Sequence, residues 1–256
     1  MRNAFLWMLV ATLGGATKVA AQWTEVPGTA PVGAWVIEVD LLTVATDRHT
    51  LDRDGVTYRS TSAGSAFVST GLAAHWDLQL GVELWREETA DGGGSRSRAQ
   101  GAGDMWLRTK WNFSGNEADG PAWAVLPYMK LATGSAAISN GRHEPGVLIV
   151  HGRPWRENLT WQINAGLDWL AAVDGGRDTV VTLSTALTWA RADSWSFYGE
   201  LYSWTETAAP RNWSGELGVG VTCAVGETGW VDLACYVGLT RAAPDYTPAL
   251  RCGWQF

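Results

Sequence analysis

Residues 104–113 read DMWLRTKWNF, and their side chains alternate between two chemical classes. The odd-numbered positions, from Met105 to Phe113, are mainly apolar, and the even-numbered positions, from Asp104 to Asn112, are mainly polar. A period of two is typical of a β-strand whose two faces meet different surroundings. In a soluble sandwich the apolar face would be buried. In a transmembrane barrel it would face lipid and the polar face would line the lumen.

The same alternation recurs along the chain and predicts about twelve strands in an all-β fold. The predicted strands are residues 32–45, 57–73, 77–87, 102–113, 122–133, 146–155, 159–171, 179–191, 194–206, 212–224, 230–241 and 246–256. The connectors after odd-numbered strands are mostly long, Gly-rich and charged. Most connectors after even-numbered strands are tight turns. Short periplasmic turns and longer outer loops give this pattern in a single antiparallel transmembrane β-barrel. The glycine-rich stretch 92–98 is predicted to be a flexible outer loop.

Tryptophan is abundant, with 17 residues, whereas charged residues make up only 18% of the chain. Indole rings prefer the headgroup region of a membrane, and barrels carry aromatic girdles there. Ten tryptophans lie near predicted strand ends: Trp35, Trp85, Trp111, Trp123, Trp155, Trp195, Trp204, Trp213, Trp230 and Trp254. The pattern therefore favours a membrane barrel over a soluble core.

The two ends of the chain indicate export to a bacterial outer membrane. Residues 1–21 have the basic start, short apolar core and small-residue cleavage site of a signal peptide, so the barrel domain is predicted over residues 22–256. The last strand ends in Gly253-Trp254-Gln255-Phe256, which resembles the C-terminal signal of outer-membrane proteins. That resemblance implies two partners, the outer-membrane lipid and the machinery that assembles barrels.

Net charge and cysteine content bear on two further kinds of partner, nucleic acids and metal cofactors. Cleavage would remove Arg2 and Lys18 and leave 17 basic against 26 acidic side chains, which disfavours nucleic acid. The three cysteines, Cys223, Cys235 and Cys252, have no metal-ligand spacing, and no cofactor is expected. All three are predicted to face lipid as small apolar residues, and a disulfide between Cys235 and Cys252 is the alternative.

The polar faces of the strands predict a lumen that mixes acids and bases. The pore-lining candidates are Glu38, Asp40, Glu83, Asp104, Arg108, Lys110, Lys130, Asp168, Glu200, Glu216, Asp232 and Arg251. Rings of charge could set the ion preference of a narrow aqueous pore. Opposite charges could instead pair and plug the barrel, and the sequence leaves both readings open.

An enzyme would need a fixed group of reactive side chains. Residues 139–143, SNGRH, contain the residue types of an outer-membrane phospholipase site, but they fall in a predicted outer loop and in a different order. Turn chemistry explains the same composition. We therefore expect no catalytic activity, and a membrane-embedded lipid hydrolase is the least favoured alternative.

Two short motifs resemble one family of outer-membrane proteins. Gly101-Ala102-Gly103-Asp104 before one strand and Lys130-Leu131-Ala132-Thr133-Gly134 at the end of the next are similar to a GxGD and a K-[LV]-P-T-G pattern, with Ala132 in place of the proline. Residues 31–33 and Glu38 resemble the first strand of the same family. It is named "Putative MetA-pathway of phenol degradation". The resemblance implies a transporter-like barrel for passive uptake of small solutes, hydrophobic or aromatic ones among them. A plugged barrel with a structural or surface-interaction role is the alternative.

Overall fold

A computed structural model of the chain describes residues 23–48, 56–92, 94–116, 119–172, 175–192, 194–208 and 213–256. All regular elements of this part are strands: β1 (Trp35–Asp47), β2 (Thr57–Ala73), β3 (Trp76–Gly92), β4 (Ser95–Gly101), β5 (Met105–Ser114), β6 (Ala122–Leu131), β7 (Glu144–Arg156), β8 (Leu159–Ala171), β9 (Arg177–Ala192), β10 (Trp195–Glu206), β11 (Ser214–Val225), β12 (Gly229–Gly238) and β13 (Tyr246–Gln255). No helix in the described ranges is long and apolar enough to cross a membrane. The predicted signal peptide lies outside the described residues.

Twelve of the strands form one closed antiparallel barrel. Each pairs with its neighbours in chain order, and β1 closes the circle by pairing with both β2 and β13. The terminal residues complete this closure, because the N–H of Phe256 donates to the carbonyl of Trp35 at 2.8 Å. The predicted all-β fold and its strand number are confirmed, and β1 begins at the same end of the barrel at which β13 finishes.

The thirteenth strand corrects the predicted loop at residues 88–101. Here β3 continues to Gly92 and pairs with β4, whose first residue Ser95 lies opposite Gly92. The pairing keeps the register in which the lower half of β3 pairs with β5. Outside lipid both faces of a hairpin are solvated, so the Thr, Ser, Glu and Arg residues of this segment show no apolar alternation. The part of β3 from Arg86 to Gly92 and the strand β4 therefore form a hairpin, which we call the outer hairpin.

The outer surface is an apolar belt with an aromatic girdle at one end. At the end that carries Trp35 and Phe256, which is the periplasmic end of an outer-membrane barrel, exposed rings circle the wall. They are Trp35, Trp76, Trp111, Phe113, Trp123, Trp155, Trp189, Trp195, Phe197, Trp254 and Phe256. Trp213 is exposed at the opposite end, and Trp85 and Trp204 are half-buried there. One predicted girdle residue is wrong: Trp230 points inward and is buried.

The alternation of faces breaks at one level of the wall. In β1, Leu41 and Leu42 are both exposed, whereas Asp40 and Thr43 are both buried and hydrogen-bonded to each other at 2.7 Å. The register between β1 and β13 shifts at this point, which marks a β-bulge. A bulge turns the following side chains to the opposite face, so the odd-numbered residues of β1 point inward beyond it.

The same break continues into the next strands, and we call the row of Leu41, Leu42, Gly64 and Leu84 the pleat break. Gly64 of β2 lies opposite this bulge with φ +69°, a left-handed conformation that favours glycine. In β3, Leu84 is strongly exposed, and Glu83 and Arg86 on either side form an ion pair at 2.9 Å. A face that changes halfway along β2 explains why the alternation of this strand is blurred in the sequence.

The cysteines are free thiols in the structure. Cys235 lies opposite Pro248, whereas Cys252 lies opposite Val231, so the two sulfurs are four residues apart along paired strands. Four residues span about 13 Å, well beyond the reach of a disulfide. The alternative of a disulfide between them is therefore wrong. Cys252 lies in the outward-facing row of β13, between the exposed Leu250 and Trp254, but neighbouring side chains cover it, whereas Cys235 is exposed.

Candidate functional site: the occupied lumen

The inward faces of the strands concentrate ionisable side chains, as period-two alternation requires. The predicted pore-lining residues that are buried inside the barrel are Glu38, Asp40, Asp104, Arg108, Lys110, Asp168, Glu200, Glu216, Asp232 and Arg251. Glu83 and Lys130 are half-buried in the outer half. Their place in an aqueous pore stays a prediction, because the middle of the lumen is filled by another part of the chain.

The segment that fills the lumen is Trp23–Ala30, which we call the plug segment. Its backbone is held by side chains of two neighbouring strands. The Ala30 N–H donates to Asp77 Oδ2 at 2.9 Å, and Lys110 Nζ donates to the carbonyl of Val26 at 3.0 Å. The last residue of the plug segment, Ala30, packs closely against the backbone of Gly71. A Cβ atom on Gly71 would lie 2.4 Å from the carbonyl oxygen of Ala30. The plug segment is thus attached by polar contacts and close packing.

Glu25 is the electrostatic centre of the plug segment. Its carboxylate is fully buried and lies against two basic side chains of β5: Arg108, which hydrogen-bonds Oε1, and Lys110, whose Nζ is 3.1 Å from Oε2. A buried charge is costly unless it is paired, and removal of one partner of such a pair typically costs about 3–5 kcal/mol. Removal of Glu25 would therefore leave the charges of Arg108 and Lys110 without this partner, and removal of both bases would leave Glu25 without them.

The ring of Trp23 is enclosed by tyrosines of the opposite wall. Its indole stacks on Tyr236 with ring centroids 3.7 Å apart and an angle of 5° between the planes. Tyr202 meets the same indole edge-on, at 5.3 Å and 77°. Tyr198 belongs to the same buried cluster, and we call Tyr198, Tyr202 and Tyr236 the tyrosine cage.

Glu200 connects the tyrosine cage to the plug segment through hydrogen bonds. Its carboxylate accepts the backbone N–H of Trp23 at 3.0 Å, the hydroxyl of Thr24 at 2.5 Å and the hydroxyl of Tyr236 at 2.8 Å. Arg251 lies behind the cage, where it donates to Tyr236 at 3.3 Å and pairs with Asp232 at 3.3 Å. Two of the three bonds to Glu200 come from the plug segment.

Five large rings that point inward lie over a glycine directly across the strand pair. Tyr236 faces Gly218, and a Cβ atom on that glycine would lie 2.3 Å from the ring. The other pairs with this arrangement are Phe67–Gly81, Tyr128–Gly146, Tyr198–Gly220 and Trp230–Gly253. The rings can lie flat on the wall only because the opposite residue has no side chain.

The two motifs of the family resemblance meet at the outer end of the lumen. Asp104 Oδ1 accepts the backbone N–H groups of Thr133 and Gly134, at 3.0 and 2.8 Å. Lys130 Nζ lies 3.2 Å from Asp104 Oδ2 and 2.5 Å from Glu144 Oε2. The motifs therefore fasten the loop after β6 to the connection between β4 and β5.

The charge state of Asp104 follows from these contacts. Partial burial raises the pKa of its carboxyl, but hydrogen bonds from Gly134, Ser139 and Lys130 and the charge of Lys130 outweigh burial, so the pKa lies below its ordinary value. Asp104 is therefore ionised at neutral pH and acts as a fixed acceptor.

The Ser139–His143 segment is part of the same loop structure. Ser139 Oγ accepts the N–H of Gly141 at 3.0 Å and hydrogen-bonds Asp104, whereas His143 Nδ1 accepts the N–H of Ala132 at 3.1 Å. Both side chains thus serve the loop backbone. Within the described ranges, no group of three or more His, Cys, Asp or Glu residues is placed to hold a metal ion.

Sequence reasoning missed the plug segment and the tyrosine cage. Residues 23–30, WTEVPGTA, show neither strand nor helix periodicity, and their only signal is an acid and an aromatic ring ahead of the first strand. Period-two alternation does put the cage tyrosines on the polar, inward faces of their strands. Their meeting with Trp23 depends on a contact across 175 residues or more, which no local pattern encodes.

The sequence and the fold both have known counterparts. The profile of the family described as "Putative MetA-pathway of phenol degradation" matches residues 41–256. Among proteins with curated functions, none is significantly similar in sequence.

Solved barrels share the architecture at low sequence identity. An outer membrane channel from Pseudomonas putida F1 superposes with a TM-score of 0.69 at 12% identity, over 90% of this chain and 98% of that one. The NanC porin gives 0.54 at 12% identity, over 86% and 98%. A KdgM porin in complex with disordered oligogalacturonate gives 0.53 at 9% identity, also over 86% and 98%. At these identities the likeness concerns the fold.

Proposed function

Because the chain belongs to the family described as "Putative MetA-pathway of phenol degradation", we propose that it is an outer-membrane channel for passive uptake of small solutes, aromatic compounds among them. The apolar belt and the aromatic girdle fit a membrane-spanning wall. The polar inner face fits a solute path once the plug segment leaves it.

The observation that carries this proposal is how the plug segment is attached. No residue of Trp23–Ala30 belongs to a strand of the barrel, and side-chain contacts hold the segment. Side-chain contacts can break while the barrel ladders stay intact. Plug release therefore offers a route from a closed to an open lumen.

The decisive experiment is single-channel conductance of the refolded barrel in a planar bilayer. Lys110→Glu places a like charge against Glu25, and Glu25→Gln removes the charge that Arg108 and Lys110 share. Loss of a buried ion pair costs about 3 kcal/mol or more, which corresponds to a shift of roughly a hundredfold in the population of the plugged state. We expect rare openings in the wild type and frequent, discrete openings in both variants.

The matched control is Glu87→Gln, which removes an ion pair with Arg98 on the outer hairpin, away from the plug segment. Its conductance should equal that of the wild type. Properly inserted but silent Lys110→Glu and Glu25→Gln barrels would contradict the channel proposal. They would favour the second candidate function, a closed barrel that presents its outer hairpin to a surface partner.

The aromatic part of the proposal rests on the family description alone. Its test is the initial uptake rate of labelled phenol at micromolar concentration in cells with and without the chain. We expect slower uptake without it and recovery with the wild-type chain. Equal rates in both strains would limit the channel to other small solutes.

We also propose that the barrel assembly machinery recognises the last strand. In support, Phe256 is strongly exposed at the barrel seam, and its backbone still pairs with Trp35. Deletion of Phe256 should reduce the amount of folded barrel in the outer membrane, as measured by heat-modifiable mobility on gels. Unchanged levels would contradict this partner.

A further inference from the structure

The ring of Trp23 occupies a place in the lumen that a free aromatic molecule could fill. We propose that the tyrosine cage together with Glu200 is a binding site for neutral planar aromatic solutes that carry a hydrogen-bond donor, such as phenols and indoles. Trp23 is its built-in occupant, which the solute replaces. This inference rests on the proposed function, because a solute has to enter the lumen.

The first argument is the geometry around the ring. Tyr236 offers a parallel face at 3.7 Å and Tyr202 an edge at 5.3 Å, which are two favourable arrangements for aromatic pairs. Gly218 holds the ring of Tyr236 against the wall, since any larger residue there would collide with it. The cage wall is therefore built by the barrel, and only its occupant comes from the plug segment.

The second argument is the hydrogen bonding of Glu200. When the plug segment leaves, the carboxylate loses the Trp23 N–H and the Thr24 hydroxyl and keeps the hydroxyl of Tyr236. A buried carboxylate that loses two of its three donors is destabilised. A phenol O–H or an indole N–H beside the ring site would supply a donor in their place.

The third argument concerns which aromatic molecules are rejected. The charged side chains joined to the cage by hydrogen bonds are Glu200, Asp232 and Arg251, and Arg251 is paired with Asp232. Among these three the unpaired charge is that of Glu200, and a further acid, Glu216, lies opposite Tyr202 across the strand pair, so the cage repels an aromatic carboxylate such as benzoate. A saturated ring alcohol such as cyclohexanol has the donor but lacks the π face. Benzoate and cyclohexanol are therefore the negative probes.

The first experiment measures indole binding to the refolded full-length barrel by equilibrium dialysis. In the wild type, Trp23 competes for the cage and weakens the apparent affinity. Trp23→Ala removes the competitor, and we expect indole to bind it about threefold to tenfold more tightly, the factor that one aromatic pair supplies. Benzoate and cyclohexanol should bind neither form. Equal indole affinity of the wild type and Trp23→Ala would overturn the proposal.

Second-site variants locate the binding. In the Trp23→Ala background, Tyr236→Leu should abolish the gain because it removes the stacking face. Tyr128→Leu is the matched control, since Tyr128 is also a buried lumen tyrosine but contacts Trp106 and Asp168 instead of Trp23. Loss of binding in both variants, or in neither, would overturn the assignment of the cage.

The second experiment asks whether indole displaces the plug segment when Trp23 is present. Val26 is buried in the plug segment, and Val26→Cys in a background with Cys223, Cys235 and Cys252 replaced by alanine reports its accessibility to a water-soluble maleimide. We expect indole to raise the labelling rate severalfold and benzoate to leave it unchanged. Glu25→Gln shows in the same assay that plug release is detectable. No response to indole alongside a clear response to Glu25→Gln would overturn the inference.

The two proposals fail in different ways. A barrel that conducts in bilayers but binds indole no better after Trp23→Ala would keep the channel and lose the aromatic site. A barrel that binds indole as expected but stays silent with Glu25→Gln would keep the site and lose the channel.

Discussion

At the scale of single residues, Asp104 shows what local chemistry determines. The period of two predicts Asp104 on the inward face of its strand; in the structure it lies just before β5 and is buried. The sequence could not show that Asp104 binds the backbone of Thr133 and Gly134, because this depends on the register between β5 and β6. The sequence of one strand is enough to predict which face a side chain lies on. To predict its hydrogen-bond partner, one must also know which strand lies beside it and in what register.

The contacts of Asp104 predict how its removal changes stability with pH. Its folded-state pKa is lowered, so its stabilisation is present above the unfolded pKa of about 4 and is lost as the pH falls through the folded value. We expect Asp104→Asn to lower the free energy of unfolding by about 2 kcal/mol at pH 7, because hydrogen bonds to a charged acceptor are lost. The difference should shrink below about pH 4 in urea titrations of the refolded barrel. An equal loss at pH 7 and at pH 3 would contradict this account, and Asp119→Asn in an exposed connector is the control.

At the scale of elements, strands were predicted well and unpatterned segments were not. The sequence of β8 alternates over its whole length, so the ends of the strand can be predicted from where the alternation begins and ends. The upper half of β3 and the plug segment carry no alternation, because one extends into solvent and the other is no strand at all. Buried residues outside regular elements leave no periodic signal.

The contact between β2 and the plug segment gives a prediction at this scale. Gly71→Val would place a side chain 2.4–2.5 Å from backbone atoms of Ala30 and Pro31, which cannot move aside without shifting the plug segment. We expect more frequent channel openings in planar bilayers. Gly199→Val is the control, since it also adds a side chain to a strand glycine but meets no atom within 4 Å. The idea fails if both variants open alike or neither does.

At the scale of the whole molecule, the number of alternating segments in the sequence predicts a closed barrel of about twelve strands. The pleat break could not be predicted in this way. An even number of strands with tight turns on one side implies a closed barrel with both ends together. The pleat break involves three neighbouring strands at one level. Each strand alone shows only a blurred or doubled apolar position, as at Leu41 and Leu42, and the cause emerges only when the strands lie side by side.

The charge of the whole lumen predicts ion preference after plug release. The strands carry nine buried acids and three buried bases: Glu38, Asp40, Asp47, Asp77, Glu144, Asp168, Glu200, Glu216 and Asp232 against Arg108, Lys110 and Arg251. A surplus of acids around a narrow path favours cations. In a potassium chloride gradient, the reversal potential of the Glu25→Gln barrel should therefore indicate cation selectivity at pH 7. Charge reversal at Arg251 would strengthen that selectivity if the lumen sets it, and an anion-selective current would contradict the assignment of the inner face.

The position of the plug segment has a consequence for biogenesis. The chain leaves the lumen at Pro31, turns at Ala34 and at once becomes β1, whose first residue meets Phe256 at the seam. The strand that seals the wall is thus tethered by four residues to the segment that blocks its interior. When β1 and β13 pair and close a newly made barrel, the plug segment is therefore held close to the lumen. The cell would then gain a new pore without an interval in which its envelope leaks.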